Sequence, residues 1–188
     1  MLGDNNEFKN YYADYKDEEI FNKLLEAREE RAELITNLSH KYKRTIICIR
    51  ANYPGLYKIN QDAVEIVNAM EAEAEKIFKG FIINSLYNIT YEGPVVILAI
   101  DKASKEVKRE TVKIEENHSL GRLVDIDVYD EKGIGISREQ VEVPRRKCFL
   151  CENEAHNCVR SKAHTEVEVK EYINKLVKEF RNMKFHKL

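Results

Sequence analysis

Asp125 and Asp127 stand two residues apart inside the apolar run Gly121-Arg122-Leu123-Val124-Asp125-Ile126-Asp127-Val128. Strand side chains alternate between faces, so in a strand the two carboxylates point the same way. Like charges that close repel, and burying them unpaired is costly. A divalent cation relieves both costs, and Mg²⁺ is commonly held by one or two carboxylates while it also binds substrate phosphates. The pattern therefore suits metal-assisted phosphoryl or nucleotidyl transfer. Alone, it fits an edge strand with a polar face equally well. Leu123, Val124, Ile126 and Val128 favour an interior strand instead. Gly121 permits close backbone approach, and Arg122 offers a planar fork that matches phosphate oxygens.

A second signature follows in Cys148-x₂-Cys151-x₆-Cys158-x₅-His164. Three thiolates and one imidazole make a complete tetrahedral set for structural zinc. The first pair has zinc-knuckle spacing, the second half matches no standard finger, and His156 competes as fourth ligand. Metal-free structural thiols stand level with zinc, and a redox pair at Cys148 and Cys151 is a further alternative. Lys58, Lys108, Arg138, Arg145, Arg146 and Arg160 are cations that could neutralise phosphate, although singly each reads as an ordinary surface charge. His118 is a candidate general base, with a structural histidine before a strand as the plainer alternative. The chain has no Gly-x-x-x-x-Gly-Lys and no Gly-x-Gly-x-x-Gly, which disfavours P-loop and Rossmann sites.

These residues need a scaffold, and the composition supplies one. The 188 residues are 43% apolar and 34% charged, with a formal net charge of -2. That suits a single domain with a real core and disfavours a general nucleic-acid binder. No apolar run approaches the ~20 residues of a membrane span. Met1 to Tyr15 is polar and acidic, unlike a secretory signal, so a cytoplasmic protein with reduced cysteines is expected.

Helical spacing of Ile20, Leu24, Ala27, Leu34, Ile35 and Leu38 predicts a helix over 17–42, preceded by a flexible or loosely docked stretch over 1–16. The segment 44–51 reads as a strand with Cys48 in the core. Asn60 caps a helix over about 61–79, with Gly80 at its end. A strand-like segment over 81–91, a break at Glu92-Gly93-Pro94 and a central apolar strand over 95–100 come next. Asp101 is placed as the cap of a third helix reaching about 116, and 120–129 as the strand bearing the aspartates. Thr165-x-x-Glu168 is a capping box that opens a terminal helix. Interleaved strands and helices favour α+β or α/β, here a mixed sheet with flanking helices.

Taken together, these pieces resemble the citrate lyase holo-acyl-carrier-protein synthases, the apo-citrate lyase phosphoribosyl-dephospho-CoA transferase family. The matching stretches are Arg28-Glu29-Glu30-Arg31, Pro54-Gly55 with Lys58, Gly93-Pro94, Lys108, Glu115 and the run from His118 to Val128. Ser137-Arg138, Arg146-Lys147-Cys148-Phe149-Leu150-Cys151, Ala155, Cys158, Arg160 and His164 continue the match. The order holds from about residue 24 to 177. Departures are Ala32-Glu33-Leu34-Ile35, where the family often has Arg-Gln, Val124 in place of an aromatic, and Ser119 in place of proline. None removes a carboxylate or a cysteine.

The resemblance implies one nucleotidyltransferase-like transferase domain over 1–188, with a Cys/His segment at 144–164. It implies transfer of the phosphoribosyl-dephospho-CoA group from 2'-(5''-triphosphoribosyl)-3'-dephospho-CoA to a serine of the citrate lyase acyl carrier subunit, with diphosphate leaving. Asp125 and Asp127 would hold Mg²⁺, while His118 or Glu115 would take the serine proton. Gly121, Arg122, Arg28, Arg31, Lys58, Lys108 and Arg138 would bind the donor. Zinc, where Cys148, Cys151, Cys158 and His164 hold it, would shape the C-terminal segment rather than do chemistry. No nucleic-acid or membrane partner is implied. The competing expectations are a non-catalytic zinc-bearing module that binds the carrier, or the same chemistry on a malonate decarboxylase carrier.

Overall fold

The computed structural model describes Phe8 and residues 11–185, the side chains of Lys184 and Phe185 excepted. Its elements are α1 (Asp17–Tyr42), β1 (Thr45–Ala51), α2 (Gln61–Ile77), β2 (Ile82–Thr90), β3 (Gly93–Ile100), α3 (Ser104–Asn117), β4 (Val124–Tyr129), α4 (Ala155–Ser161) and α5 (Glu166–Phe185). Short 3₁₀ turns occupy Gly121–Leu123 and Glu139–Val141. The strand order is β2-β3-β1-β4, and every neighbouring pair is antiparallel.

The α+β class matches the sequence reading, but the sheet expected to be mixed is antiparallel throughout. The path β1-α2-β2-β3-α3-β4 is a split βαβ arrangement. Each helical crossover skips a position, and an antiparallel strand fills the gap. Parallel neighbours never form.

Three layers follow from the strand pattern. One face of the sheet carries Ile47, Ile49, Val96, Leu98, Val124, Ile126 and Val128, buried under apolar residues of α2, α3 and α5. The other face carries Ile46, Cys48, Val95, Ile97 and Ala99, packed on Ile35 and Leu38 of α1. β3 is buried along its whole length, as its unbroken apolar run requires. α1 covers only part of its face, and the uncovered part carries the charged residues described below.

Local signals set the element ends. Asn60 Oδ1 accepts from the Ala63 N–H at 2.9 Å and caps α2. Thr165 and Glu168 close the reciprocal box that starts α5. Asp101 is not the cap of α3. That position is Ala103, and the Asp101 carboxylate pairs with Arg44 at 2.6 Å. At the amino end, Tyr12 is buried and its hydroxyl accepts from the Ile59 N–H at 2.8 Å. Within the stretch expected to be flexible, residues 1–7, 9 and 10 lie outside the described residues.

β4 is an edge strand, not an interior one. Four of its outward groups nevertheless find partners. The Ile126 N–H donates to Glu115 Oε1 and the Ile126 carbonyl accepts from Lys108 Nζ, both at 3.0 Å. The Val124 carbonyl accepts from Arg146, and the Val128 carbonyl from the Ile136 N–H. Side chains take the place of a fifth strand. Ile126 therefore looks interior in sequence while its backbone has a strand on one side only.

Gly121 fixes how closely α3 approaches β4. A Cβ there would lie 2.5 Å from the carbonyl oxygens of both Ile114 and Glu115. Backbone cannot yield as a flexible side chain can. Gly121→Ala is expected to cost about 1–3 kcal/mol. Thermal unfolding would register a fall in Tm of several degrees.

Candidate functional site

Asp125 and Asp127 point to the sheet face that α1 only partly covers. Their neighbours on β4, Val124, Ile126 and Val128, are buried on the other face. On the adjacent strand, Ile46, Cys48 and Arg50 share the aspartates' face, and Arg50 pairs in register with Asp125. Arg50 Nη2 lies 3.0 Å from Asp127 Oδ2, and Arg146 Nη1 lies 2.6 Å from Asp125 Oδ1. Each aspartate thus gives one oxygen to a guanidinium. Among the described residues, none forms a hydrogen bond with the other oxygen of either. Burial holds the Asp125 carboxyl above its ordinary value, and repulsion from Asp127 and Glu115 adds to this, while Arg146 and Arg50 pull against it.

A second set of charges meets these. Glu92, at the β2–β3 turn, is buried and faces three arginines. Arg31 Nε lies at 2.6 Å, Arg28 Nε at 3.3 Å and Arg50 Nη1 at 3.7 Å. Lys58 stands in the loop between β1 and α2, where its ammonium donates to the Tyr53 carbonyl. Burial, aided by the charges of Arg28 and Arg50, lowers the Lys58 pKa. Arg28 and Arg31 meet on Glu92, Lys58 lies near them, and Arg50 links this group to Asp127. Arg50 and Glu92 join them unforeseen.

Other predicted residues serve the β4 edge. The Glu115 side chain is 3% exposed and accepts from three directions: the Ile126 N–H, Arg146 at 2.5 Å and Arg138 at 2.5 Å. Lys108 is buried on the same edge, and desolvation lowers its pKa. Arg138 also reaches Glu116 at 3.0 Å. Glu115, Glu116, Arg138 and Arg146 line a small cleft of about 210 Å³ with Gly121, Arg122, Arg145 and Lys147. Arg146 spans the edge, one branch on Glu115 and the other on Asp125.

Arg122 turns toward the Cys/His segment. Its Nη2 donates to the carbonyls of Lys147 at 3.0 Å and Cys148 at 2.5 Å. His118 ends α3. Its Nδ1 accepts from the Leu120 N–H at 3.0 Å, and its ring packs on Phe180 with centroids 5.5 Å apart. Phe180 belongs to the layer beneath the sheet, opposite the face of the aspartates.

The four candidate zinc ligands converge. One atom each from Cys148, Cys151, Cys158 and His164 lies within 4.8 Å of all the others. Cys158 comes from α4, a seven-residue helix that the sequence pattern did not reveal. Cys151 and Cys158 sulfurs are 3.5 Å apart. Burial would raise the Cys148 thiol, but hydrogen bonds from the Leu150 and Cys151 backbone and from neighbouring thiols bring it down to about 7. Burial and the crowded thiols push Cys158 up to about 12. His164 Nε2 is buried without a hydrogen-bond partner. A soft divalent cation would satisfy that nitrogen and relieve the thiolate repulsion together, so the residues fit zinc. His156 lies elsewhere, with Nδ1 3.3 Å from Glu154.

Residues 20–180 match the family model described as "Apo-citrate lyase phosphoribosyl-dephospho-CoA transferase". A probable apo-citrate lyase phosphoribosyl-dephospho-CoA transferase of Vibrio cholerae serotype O1 is 34% identical over 129 residues, 66% of this chain and 72% of that protein. Apo-citrate lyase phosphoribosyl-dephospho-CoA transferases of Citrobacter koseri and Escherichia coli are 43% identical over 72 residues and 41% over 76 residues. These cover 38% and 40% of this chain and 39% and 42% of those proteins.

The packing of Glu115 generates a test. Glu115→Gln keeps the shape and removes the charge that two buried guanidiniums share. Breaking a buried pair from one side costs about 3–5 kcal/mol. Urea unfolding should show that loss as a lower midpoint at unchanged slope.

Proposed function

Because the chain belongs to the apo-citrate lyase phosphoribosyl-dephospho-CoA transferase family, we propose that it moves the phosphoribosyl-dephospho-CoA group from 2'-(5''-triphosphoribosyl)-3'-dephospho-CoA to a serine of the citrate lyase acyl carrier subunit, releasing diphosphate. One observation carries the reading: Asp125 and Asp127 share a face, each with one oxygen held by arginine and one free. Two carboxylate oxygens on one open face suit Mg²⁺, which keeps its other positions for water and substrate phosphates. Asp125 and Asp127 would hold the ion, and the charge it supplies would steady the phosphates during displacement.

The chain's own residues do the rest. Arg50 and Arg146 fix the carboxylates from opposite sides, so the metal ligands are oriented before substrate arrives. Arg28, Arg31 and Lys58 face the same opening and favour a polyanionic donor. Glu115 and Lys108 act as positioning residues, because both are committed to the β4 backbone. Arg122, Arg138 and Gly121 hold the edge and the Cys/His segment. His118 faces the core layer, and we leave the serine proton to solvent. Zinc at Cys148, Cys151, Cys158 and His164 would shape the segment that carries Arg146. No helix among the described residues is long and apolar enough to cross a membrane, and a cytoplasmic location suits the donor and the carrier.

The decisive experiment is mass spectrometry of apo carrier subunit incubated with this protein, donor and Mg²⁺. A gain of one phosphoribosyl-dephospho-CoA group is expected. Asp125→Asn and Asp127→Asn should each slow it on the order of a hundredfold or more. No gain with a proven donor would favour the carrier-binding module, and gain only on a malonate decarboxylase carrier would reassign the acceptor.

The raised Asp125 pKa adds a signed prediction. A carboxyl raised by folding gives stability that is present below its unfolded pKa and lost as pH rises through its folded value. At pH 7 the ionised form therefore does not stabilise the fold. Asp125→Asn should keep a Tm at pH 7 no lower than the parent's while losing transfer. Because only the ionised form holds metal, Mg²⁺-dependent transfer should fail on acidification at a pH above the ordinary aspartate value. A Tm collapse in Asp125→Asn would make the aspartate structural instead.

A further inference from the structure

We propose that Arg28, Arg31, Arg50 and Lys58, arrayed on Glu92, form the subsite for the two phosphates that leave the donor. The inference rests on the transfer reading above and assigns the part of the substrate that this corner holds.

Glu92 has a side chain 3% exposed. Arg31 meets it through both Nε at 2.6 Å and Nη2 at 3.3 Å, while Arg28 and Arg50 approach at 3.3 and 3.7 Å. One carboxylate cannot neutralise three guanidiniums. Asp127 takes the other branch of Arg50. Lys58 adds a fourth cation, and Glu166, an acid close enough to influence it, pairs with Lys170 at 2.5 Å. Three guanidiniums thus meet two carboxylates, and Lys58, held by the Tyr53 carbonyl, adds positive charge nearby, so cations are in excess. Arg50 Nε is also buried without a hydrogen-bond partner. Such crowding is unfavourable until an anion arrives.

Diphosphate fits that demand in charge and shape, because guanidinium forks match pairs of phosphate oxygens. Its place in the reaction also fits. The serine Oγ bonds to the phosphorus next to the ribose. The bond from that phosphorus to the bridging oxygen breaks, its electron pair leaves with diphosphate, and the serine proton passes to solvent. Negative charge grows on the leaving end, where guanidiniums lower its energy most. Arg50 touches Asp127, so the cation array adjoins the phosphorus held at the aspartates. Arg138, Arg145 and Arg146, across the β4 edge, are engaged by Glu115, Glu116, Glu139 and Asp125.

Calorimetric titration of inorganic diphosphate with Mg²⁺ into the full chain tests this. Arg28 is half exposed and Arg31 keeps its apolar stem in Arg31→Met, so Arg28→Ala and Arg31→Met provide two variants with different folding risk. Each should weaken diphosphate binding about tenfold or more, the worth of a charge-assisted hydrogen bond. Arg145→Ala should bind like the parent. Unchanged binding in either Arg28→Ala or Arg31→Met, no binding by the parent, or equal loss in Arg145→Ala would overturn the subsite. Diphosphate binding needs neither donor nor carrier. Carrier that gains no mass, while these variants lose diphosphate, sinks the transfer reading alone. Carrier that gains mass, while they bind diphosphate as the parent does, sinks the subsite alone.

Discussion

The hydrogen bond from the Ile126 N–H to the buried carboxylate of Glu115 is the constraint on which the rest depends. β4 ends the sheet, so half its backbone groups face away from any strand. An unpaired backbone group buried against α3 would be costly. Glu115 meets the Ile126 N–H, Lys108 meets the carbonyl, and the charge of Glu115 then calls in Arg138 and Arg146. Arg146 carries the chain of contacts round the edge to Asp125. A need to satisfy one strand's backbone thus fixes a guanidinium against the Asp125 carboxylate.

Arg50 repeats that logic from the interior side. It reaches Asp127 on one branch and the buried Glu92 on the other. The aspartate pair therefore does not wait for a metal to suppress its repulsion. Arginines on both flanks hold it, at the expense of one oxygen each. The remaining oxygens face an opening bordered by cations, which turns an awkward pair of like charges into an oriented one.

Features whose cause is local could be read in the chain. α1 spans 17–42 as its apolar stripe requires, Asn60 caps α2, and Thr165 with Glu168 opens α5. The Cys/His set was legible because its four members fall within a short stretch of chain, although α4 was too short to show a period. Features with distant causes were not legible. Alternation in β4 reports which side chains are buried, not whether a second strand lies beyond, so an edge plugged by α3 imitates an interior strand. Arg50 shares the face of Ile46 and Cys48 by period 2, a signal present in the sequence and passed over. Glu92 gave no signal, because its partners Arg28 and Arg31 lie more than 60 residues away. For Arg122, Lys108 and Glu115, residue type alone could not say whether they face substrate or backbone, and each hydrogen-bonds to backbone groups.

The two edges of the sheet differ in what they can accept. β4 is closed to further pairing by its side-chain plugs. β2, at the opposite end, has nine residues with no described strand or side chain on its outer hydrogen-bonding groups, and Ile83, Tyr87 and Ile89 are exposed along it. Edge strands of this kind invite backbone pairing with other chains. Any added strand, from a second copy or during misfolding, joins the sheet at β2. The margin open to backbone pairing is therefore the one farthest along the sheet from the strand that bears the aspartates.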